Sequence, residues 1–280
     1  MIIEAAKGDE AALEGYLVRH FTTTMFMRGN LRDHGLGNRE APYAMRYFIR
    51  YQEGVITGVG ALANIGAIML QADGDAAEIV AHIAGHLPKG FRPDAITGAP
   101  EQVAAVVEGL GFGALPTRMN DTEPLFLLEK AKLIPADMAG FTLRPAKLAD
   151  LPVLAAWNFA YDIEVLGATE SAAARADSFE ETERTIKRGH QRVLVKDGEL
   201  VAQTNFNAVM SDTVQIGGVY TPPEVRGNGY ARRAVAAHLD EAFATGVENA
   251  ILFSASESAS KAYRAVGFRQ IGHYQIILFE

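Results

Sequence analysis

The sequence predicts an α/β chain made of two tandem domains of one shape. Three observations predict it. A strand pattern at residues 213–220 runs through a proline turn and a glycine loop into a long helical stretch ending near Thr245. The first half repeats the signposts of the second half in the same order. Between the halves, Lys130-Ala-Lys-Leu-Ile-Pro-Ala-Asp-Met-Ala-Gly140 breaks both the strand and the helix period. The domains are therefore drawn at 1–135 and 141–280, and a chain of 280 residues has room for two.

In the second half, Phe141–Pro145 reads as a short strand. Leu148, Leu151, Leu154 and Ala155 follow at helical spacing up to Trp157, and Phe179–Arg188 is a second helical stretch, leaving 159–178 as a loop. Val193–Lys196 and Leu200–Asn205 alternate about an Asp197-Gly198 hairpin turn. Thr213–Tyr220 feeds the glycine loop, Ala250–Ser254 reads as a strand, Ser258–Val266 as a short helix and Gln275–Phe279 as a closing strand. In the first half, Gly8–Leu13 is an ordinary helix start, as Ala149-Asp-Leu-Pro is later. Gln52-Glu-Gly54 mirrors Lys196-Asp-Gly198, Glu108–Phe112 mirrors Arg264–Phe268, and Leu125–Glu129 mirrors Ile277–Glu280.

Composition narrows the function. Apolar residues make up 49% of the chain and mean hydropathy is +0.03, as in a folded globular protein. No apolar run reaches the roughly 18 residues of a membrane span. The N-terminus lacks a basic segment followed by an apolar core, so no signal peptide is expected and a cytoplasmic location is. Zero cysteines exclude disulfides, thiolate zinc sites and a cysteine nucleophile. A net charge of −8 disfavours nucleic acid as partner and is compatible with an amine.

The stretch from Ile216 to Ala231 carries the chemistry. A glycine loop at a helix start presents bare N–H groups and the positive end of the helix dipole to an anion. Gly227 and Gly229 permit close approach of a phosphate, and Arg226, Arg232 and Arg233 supply cations. A dinucleotide fingerprint needs a third glycine where Arg232 stands, and an acid about twenty residues on; Asp240 and Glu241 lie only halfway there. A kinase-type loop would need Gly-Lys-Ser/Thr, which is absent.

The spelling that matches is Arg-x-x-Gly-x-Ala, at Arg226, Gly229 and Ala231, followed by Tyr263-Arg-Ala-Val-Gly267-Phe268. Over residues 141–280 the chain resembles the GCN5-related N-acetyltransferase (GNAT) family, and with the repeat in the first half its tandem-domain form; the resemblance implies that each domain is a mixed, mostly antiparallel sheet flanked by helices. The resemblance implies that Arg226, Gly227, Asn228, Gly229, Tyr230 and Ala231 hold the diphosphate of acetyl-CoA. It implies that Val219, Tyr220 and Thr221 line up the pantetheine and the thioester carbonyl, with a backbone N–H of Val219 or Tyr220 as oxyanion donor. Tyr263 is then the acid that protonates the leaving thiolate, its phenol having an ordinary pKa of about 10; it also reads as a packed aromatic on an amphipathic helix. Ser256 stands where the family often has asparagine, and Ser260 is a weaker substitute.

The implied activity is transfer of acetyl from acetyl-CoA to a small-molecule or peptide amine by direct attack in a ternary complex, without metal. Nucleic acid and membrane are not expected as partners, and a homodimer is allowed. Two alternatives keep the fold: a catalytically silent acyl-CoA-binding module, and an aminoacyl-tRNA-dependent transferase. The base is not legible. Glu257, Asp212, Asp162 and Glu164 all read equally well as solvated carboxylates, and a water relay serves as well. Glu78, His82 and His86 have helical metal-ligand spacing but lack a further ligand, and read as a solvated helix face.

The first half contains its own loop, Gln71-Ala-Asp-Gly74-Asp-Ala76, 41 residues before Phe112, against 42 between Arg226 and Phe268. Residues 71–112 carry two cations against six acids, while 226–268 carry five cations against four acids. Asp73 and Asp75 sit on the first loop, and no tyrosine precedes its Gly-Phe pair. The N-terminal copy is therefore expected to be degenerate as a phosphate site.

Overall fold

The computed structural model describes residues 1–280. The chain forms two compact units. In order, the elements of the first half are β1 (Ile2–Glu4), α1 (Glu10–Leu17), α2 (Phe21–His34), β2 (Met45–Gln52), β3 (Val55–Ala63), β4 (Ile68–Ala72), α3 (Ala77–Ala84), β5 (Ala95–Gly98), α4 (Pro100–Leu110) and β6 (Thr117–Glu129). Those of the second half are β7 (Phe141–Pro145), α5 (Leu151–Leu166), α6 (Ala172–Arg188), β8 (Gln191–Lys196), β9 (Glu199–Val209), β10 (Thr213–Tyr220), α7 (Tyr230–Ala244), β11 (Asn249–Phe253), α8 (Glu257–Arg264) and β12 (Arg269–Phe279). The two series are identical in kind and order, and each is a mixed sheet flanked by helices.

Local sequence explains the recurring turns. Glu53-Gly54 and Asp197-Gly198 both have positive φ at each residue (51° and 80°, 51° and 86°), the geometry of a tight hairpin whose twist matches the strands. In each half one parallel pair interrupts an otherwise antiparallel ladder: β4 with β5, and β10 with β11.

The terminal strands do not stay with their own halves. One unit is Met1–Glu123 with His273–Glu280, and the other is Pro124–Gly272. In the first unit the strand order is β1-β2-β3-β4-β5-β12, with Gln275–Leu278 paired antiparallel to Ala95–Gly98. In the second it is β6-β11-β10-β9-β8-β7, with Leu125–Glu129 paired to Asn249–Phe253. The compact units thus change over at 123/124 and 272/273 rather than within the breaker at 130–141. In each sheet the terminal strand pairs antiparallel with the strand whose other edge carries the parallel pair.

Two helices differ from the sequence expectation. The helix placed at 148–157 runs on to Leu166, because no breaker intervenes before Gly167, which ends it at φ 66°. The helix placed at 179–188 starts at Ala172, where Ser171 Oγ accepts the Ala174 N–H at 3.0 Å and an alanine-rich turn follows. The expected loop of 159–178 shrinks to Gly167–Ser171.

Each unit has its own core. In the first, Phe48, Ile68, Ile79, Ile83, Ile96, Val106 and Phe112 pack with Ile277 and Phe279 of β12. In the second, Phe126 and Leu128 of β6 pack with Phe206, Val214, Ile216, Val235, Leu239, Leu252, Val266 and Phe268. His238 lies buried in α7, its ring stacked on Phe206 at 3.7 Å, and burial pushes its pKa well down, so it is neutral. No helix is long and apolar enough to cross a membrane.

Candidate functional site

The site is built on β10. Its pairing with β9 shifts register between Gln215 and Ile216 and again between Gly217 and Tyr220, and Gly218 has φ 57° within the second shift. Gly217 lies under the Asn207 side chain, where a Cβ would stand 2.1 Å from Nδ2 and would displace that exposed amide. The bulge is held from behind. Gln203 Nε2 donates to the Gly218 carbonyl at 3.1 Å and to Asn158 Oδ1, while Gln203 Oε1 accepts from Gln191 at 3.2 Å. Asn158 donates to Thr182 Oγ1 at 2.8 Å, and Thr182 donates to the Ser178 carbonyl at 2.6 Å. This buried amide network ties α5, α6, β8 and β9 to one carbonyl of β10. Single-sequence reading missed it, because nothing in the spacing of these polar residues pairs them.

Parallel pairing with β11 covers only Thr213–Gln215 against Asn249–Ile251. Val219 and Tyr220 therefore lie beyond the last paired position. Val219 packs on the core, and Tyr220 is buried with its ring 6.2 Å from Trp157. The Tyr220 hydroxyl donates to Glu164 Oε1 at 3.3 Å, and burial with that carboxylate raises the phenol's pKa. Thr221 Oγ1 is buried without a partner.

The glycine loop follows as expected from its residues. Gly227 and Gly229 adopt φ 82° and 73°, and α7 opens at Tyr230 with no side chain capping its first turn. Asn228 Nδ2 donates to the Val225 carbonyl at 3.1 Å and braces the loop, while Ala231 sits in the helix's first turn. The three arginines have separate fates. Arg232 is exposed. Arg233 is committed to structure, donating to Asp137 O at 2.9 Å and Asn228 O at 3.3 Å and lying 4.6 Å over Phe141. Arg226 donates from Nε to Thr221 O at 2.9 Å and pairs with Glu164 at 2.7 Å. Tyr230 is buried against Phe141 at 5.6 Å, so its ring anchors the helix.

On α8, Ser256 is the N-cap, accepting the Ala259 N–H at 3.2 Å, and Ser260 is buried and donates to Ser254 at 2.9 Å. Tyr263 is 8% exposed, 6.0 Å from Phe268 edge-on. The Gly-Phe pair has a steric cause. Gly267 has φ 112°, and a Cβ there would stand 2.1 Å from the Lys132 carbonyl oxygen. Among the carboxylates considered as base, Glu257 is exposed and pairs with Arg264 at 3.2 Å. Asp212 precedes β10 at the end opposite the loop, roughly 25 Å from Tyr220 at the usual rise per strand residue. Asp162 and Glu164 are on α5, not in a loop.

The corresponding loop of the first half is closed by its own side chains. Asp75 Oδ1 accepts the Ala77 N–H at 2.9 Å, placing a carboxylate at the start of α3. Beneath it, buried Arg50 donates to Thr57 O and Asp73 O, each at 3.0 Å, and to Asp75 O. Asp73 pairs with His20 at 3.2 Å. Glu78, His82 and His86 do not converge: the two imidazoles pack on each other at 4.6 Å and on Phe48.

Residues 157–268, 40% of the chain, match the acetyltransferase (GNAT) family. A UPF0039 protein of Schizosaccharomyces pombe is 29% identical over 114 residues, which is 39% of this chain and 75% of that protein. A Drosophila protein superposes at 11% identity and TM-score 0.69 over 99% of this chain and 98% of its own. A GCN5-related N-acetyltransferase from Sphaerobacter thermophilus gives 12% identity and TM-score 0.60 over 99% and 94%. A tandem GNAT protein from the clavulanic acid biosynthesis pathway gives 15% identity and 0.56 over 99% and 97%. The fold is that of tandem GNAT proteins, and the match at 157–268 supports the acetyltransferase family, whose fold serves acyl transfer.

Proposed function

We propose that the chain is a cytoplasmic N-acetyltransferase that moves acetyl from acetyl-CoA to an amine within a ternary complex, using the second half, 141–280. The observation that carries this reading is the uncapped first turn of α7 directly behind a bulged strand that has left its parallel neighbour. Such a turn, with glycines at 227 and 229, offers N–H groups to the diphosphate of the thioester carrier, and Arg226 and Arg232 add charge. Val219 and Tyr220 offer backbone N–H groups to the thioester oxygen, and the partnerless Thr221 hydroxyl suits a pantetheine amide. The acceptor nitrogen attacks the carbonyl carbon, the C–S bond breaks, and Tyr263 gives its proton to the departing thiolate. Ser256 and Ser260 are engaged in capping and packing, so their contribution to the carrier is the shape of the α8 turn.

The first half is, on this reading, a degenerate copy. Asp75 stands where a phosphate would be, and Arg50 draws the loop's carbonyls inward. Both features oppose an anion.

One experiment tests the whole. Calorimetry with acetyl-CoA should show one site per chain, and coenzyme-A release with a panel of amines should show turnover. Two sites would restore the first loop; none, in a folded protein, would remove the reading. The burial of Tyr263 favours the silent binding module as the second reading, and carrier binding without turnover on any amine would select it.

A further inference from the structure

We propose that Glu164 is a positioning residue that competes with the donor's diphosphate for Arg226, so that donor binding releases the last turn of α5. The inference rests on the reading of 226–231 as the diphosphate loop. Glu164 uses both oxygens. Oε2 pairs with the Arg226 guanidinium at 2.7 Å, and Oε1 accepts the Tyr220 hydroxyl at 3.3 Å. Arg226 also lies 5.4 Å over the Tyr220 ring and donates to the Thr221 carbonyl. One carboxylate from α5 thus fastens the cation, the strand end and the helix together.

A diphosphate arriving at α7 meets this carboxylate beside the cation it needs. Two anions a few Å apart repel, and a guanidinium edge serves one of them well. The existing pair is half-exposed, with side chains 47% and 40% accessible, so it is weak enough for a ligand to displace. Gly167, at φ 66°, ends the helix three residues beyond Glu164, so the turn can swing without unfolding α5. The same helix carries Asn158, which holds Gln203 on the Gly218 carbonyl. Exchange at Arg226 therefore reaches the bulge where, on the proposed function, the thioester lies.

The chain has a single tryptophan, Trp157, on α5 and 6.2 Å from Tyr220, and it reports the exchange. Coenzyme A is titrated into the wild type, Glu164→Gln and Glu164→Ala, with affinity read by calorimetry, Trp157 emission by fluorescence and folding by thermal melts. The wild type should change emission on binding. Both variants should bind about two- to fivefold tighter, the factor a half-exposed ion pair carries. Their emission without ligand should already resemble the bound wild type. A wild type that binds while the folded variants bind equally or more weakly overturns the role of Glu164. A folded wild type that ignores coenzyme A overturns the loop reading and this inference with it.

Discussion

The two glycine loops occupy the same place in the same order of elements, yet one is plugged and the other open. At 71–76 a carboxylate caps the helix and a buried guanidinium gathers the carbonyls. At 226–231 the helix starts on a bare glycine and the guanidinium is half-exposed, held by the Thr221 carbonyl and by a carboxylate from a neighbouring helix. On the proposed function, the difference teaches that a fold keeps its loop without a ligand where the chain supplies its own anion and cation in the ligand's place. A helix N-terminus must be satisfied by something; whether that is Asp75 or a diphosphate is a matter of a few side chains.

The comparison breaks most visibly at the Gly-Phe pairs. Gly267→Ala drives a Cβ into the Lys132 carbonyl at positive φ, and should destabilise by about 4 kcal/mol. Gly111→Ala, with φ 70° and nothing within 4 Å, should lose only about 1 kcal/mol in urea unfolding. Equal losses would mean that the two turns are under the same constraint. Next, Arg50→Met should remove about 3 kcal/mol of stability, because the buried guanidinium's bonds to three loop carbonyls are lost together. Arg226→Met should leave the melt almost unchanged and weaken coenzyme A about tenfold. A carrier effect from Arg50→Met with an intact melt would reverse the assignment of the two arginines.

Glu123, on β6, sharpens the comparison from another side, since it has no counterpart in the motif-based reading. It is buried, and desolvation with repulsion from Asp121 pushes its carboxyl up to about 7. The folded state therefore holds this proton more tightly than the unfolded chain. Stability is full below pH 4.5 and falls as pH rises from there through 7. Glu123→Gln should gain about 3 kcal/mol at pH 8 and nothing at pH 4; a gain independent of pH would show the carboxyl to be unperturbed. Tyr263→Phe should lower turnover about 100-fold with carrier affinity kept, as for loss of a general acid. Val107 stands at the matching place before Gly111, so the first half lacks that acid. Unchanged turnover would leave Tyr263 as packing alone, like Val107. The smallest effect is expected from Asp75→Ala, about 1 kcal/mol for a lost helix cap. The same substitution should not create a second coenzyme-A site while Arg50 still holds the loop carbonyls.

What could be read in advance is what the chain settles locally. Asp197-Gly198 and Glu53-Gly54 turn because few residue pairs tolerate two positive φ values in succession. Gly227 and Gly229 open α7 for the same kind of reason, and the duplication was visible because local signposts recur at fixed spacing. Helix ends were less legible: α5 and α6 proved longer than periodicity allowed, because alanine-rich and mixed stretches form helix without displaying a face.

By itself, then, the sequence determined the order of elements in the second half, the doubling, the two hairpins and the backbone of the glycine loop at 226–231, all of which depend on residues within a few positions of one another. Tertiary structure alone decided the exchange of β6 and β12, the pairing of Arg226 with Glu164, the plugging of the first loop by Arg50, and the burial of Glu123. A strand edge has no partner until distant strands come together, and a charge has none until the chain between two charges has folded. Both are settled by distance in space, which linear spacing does not encode.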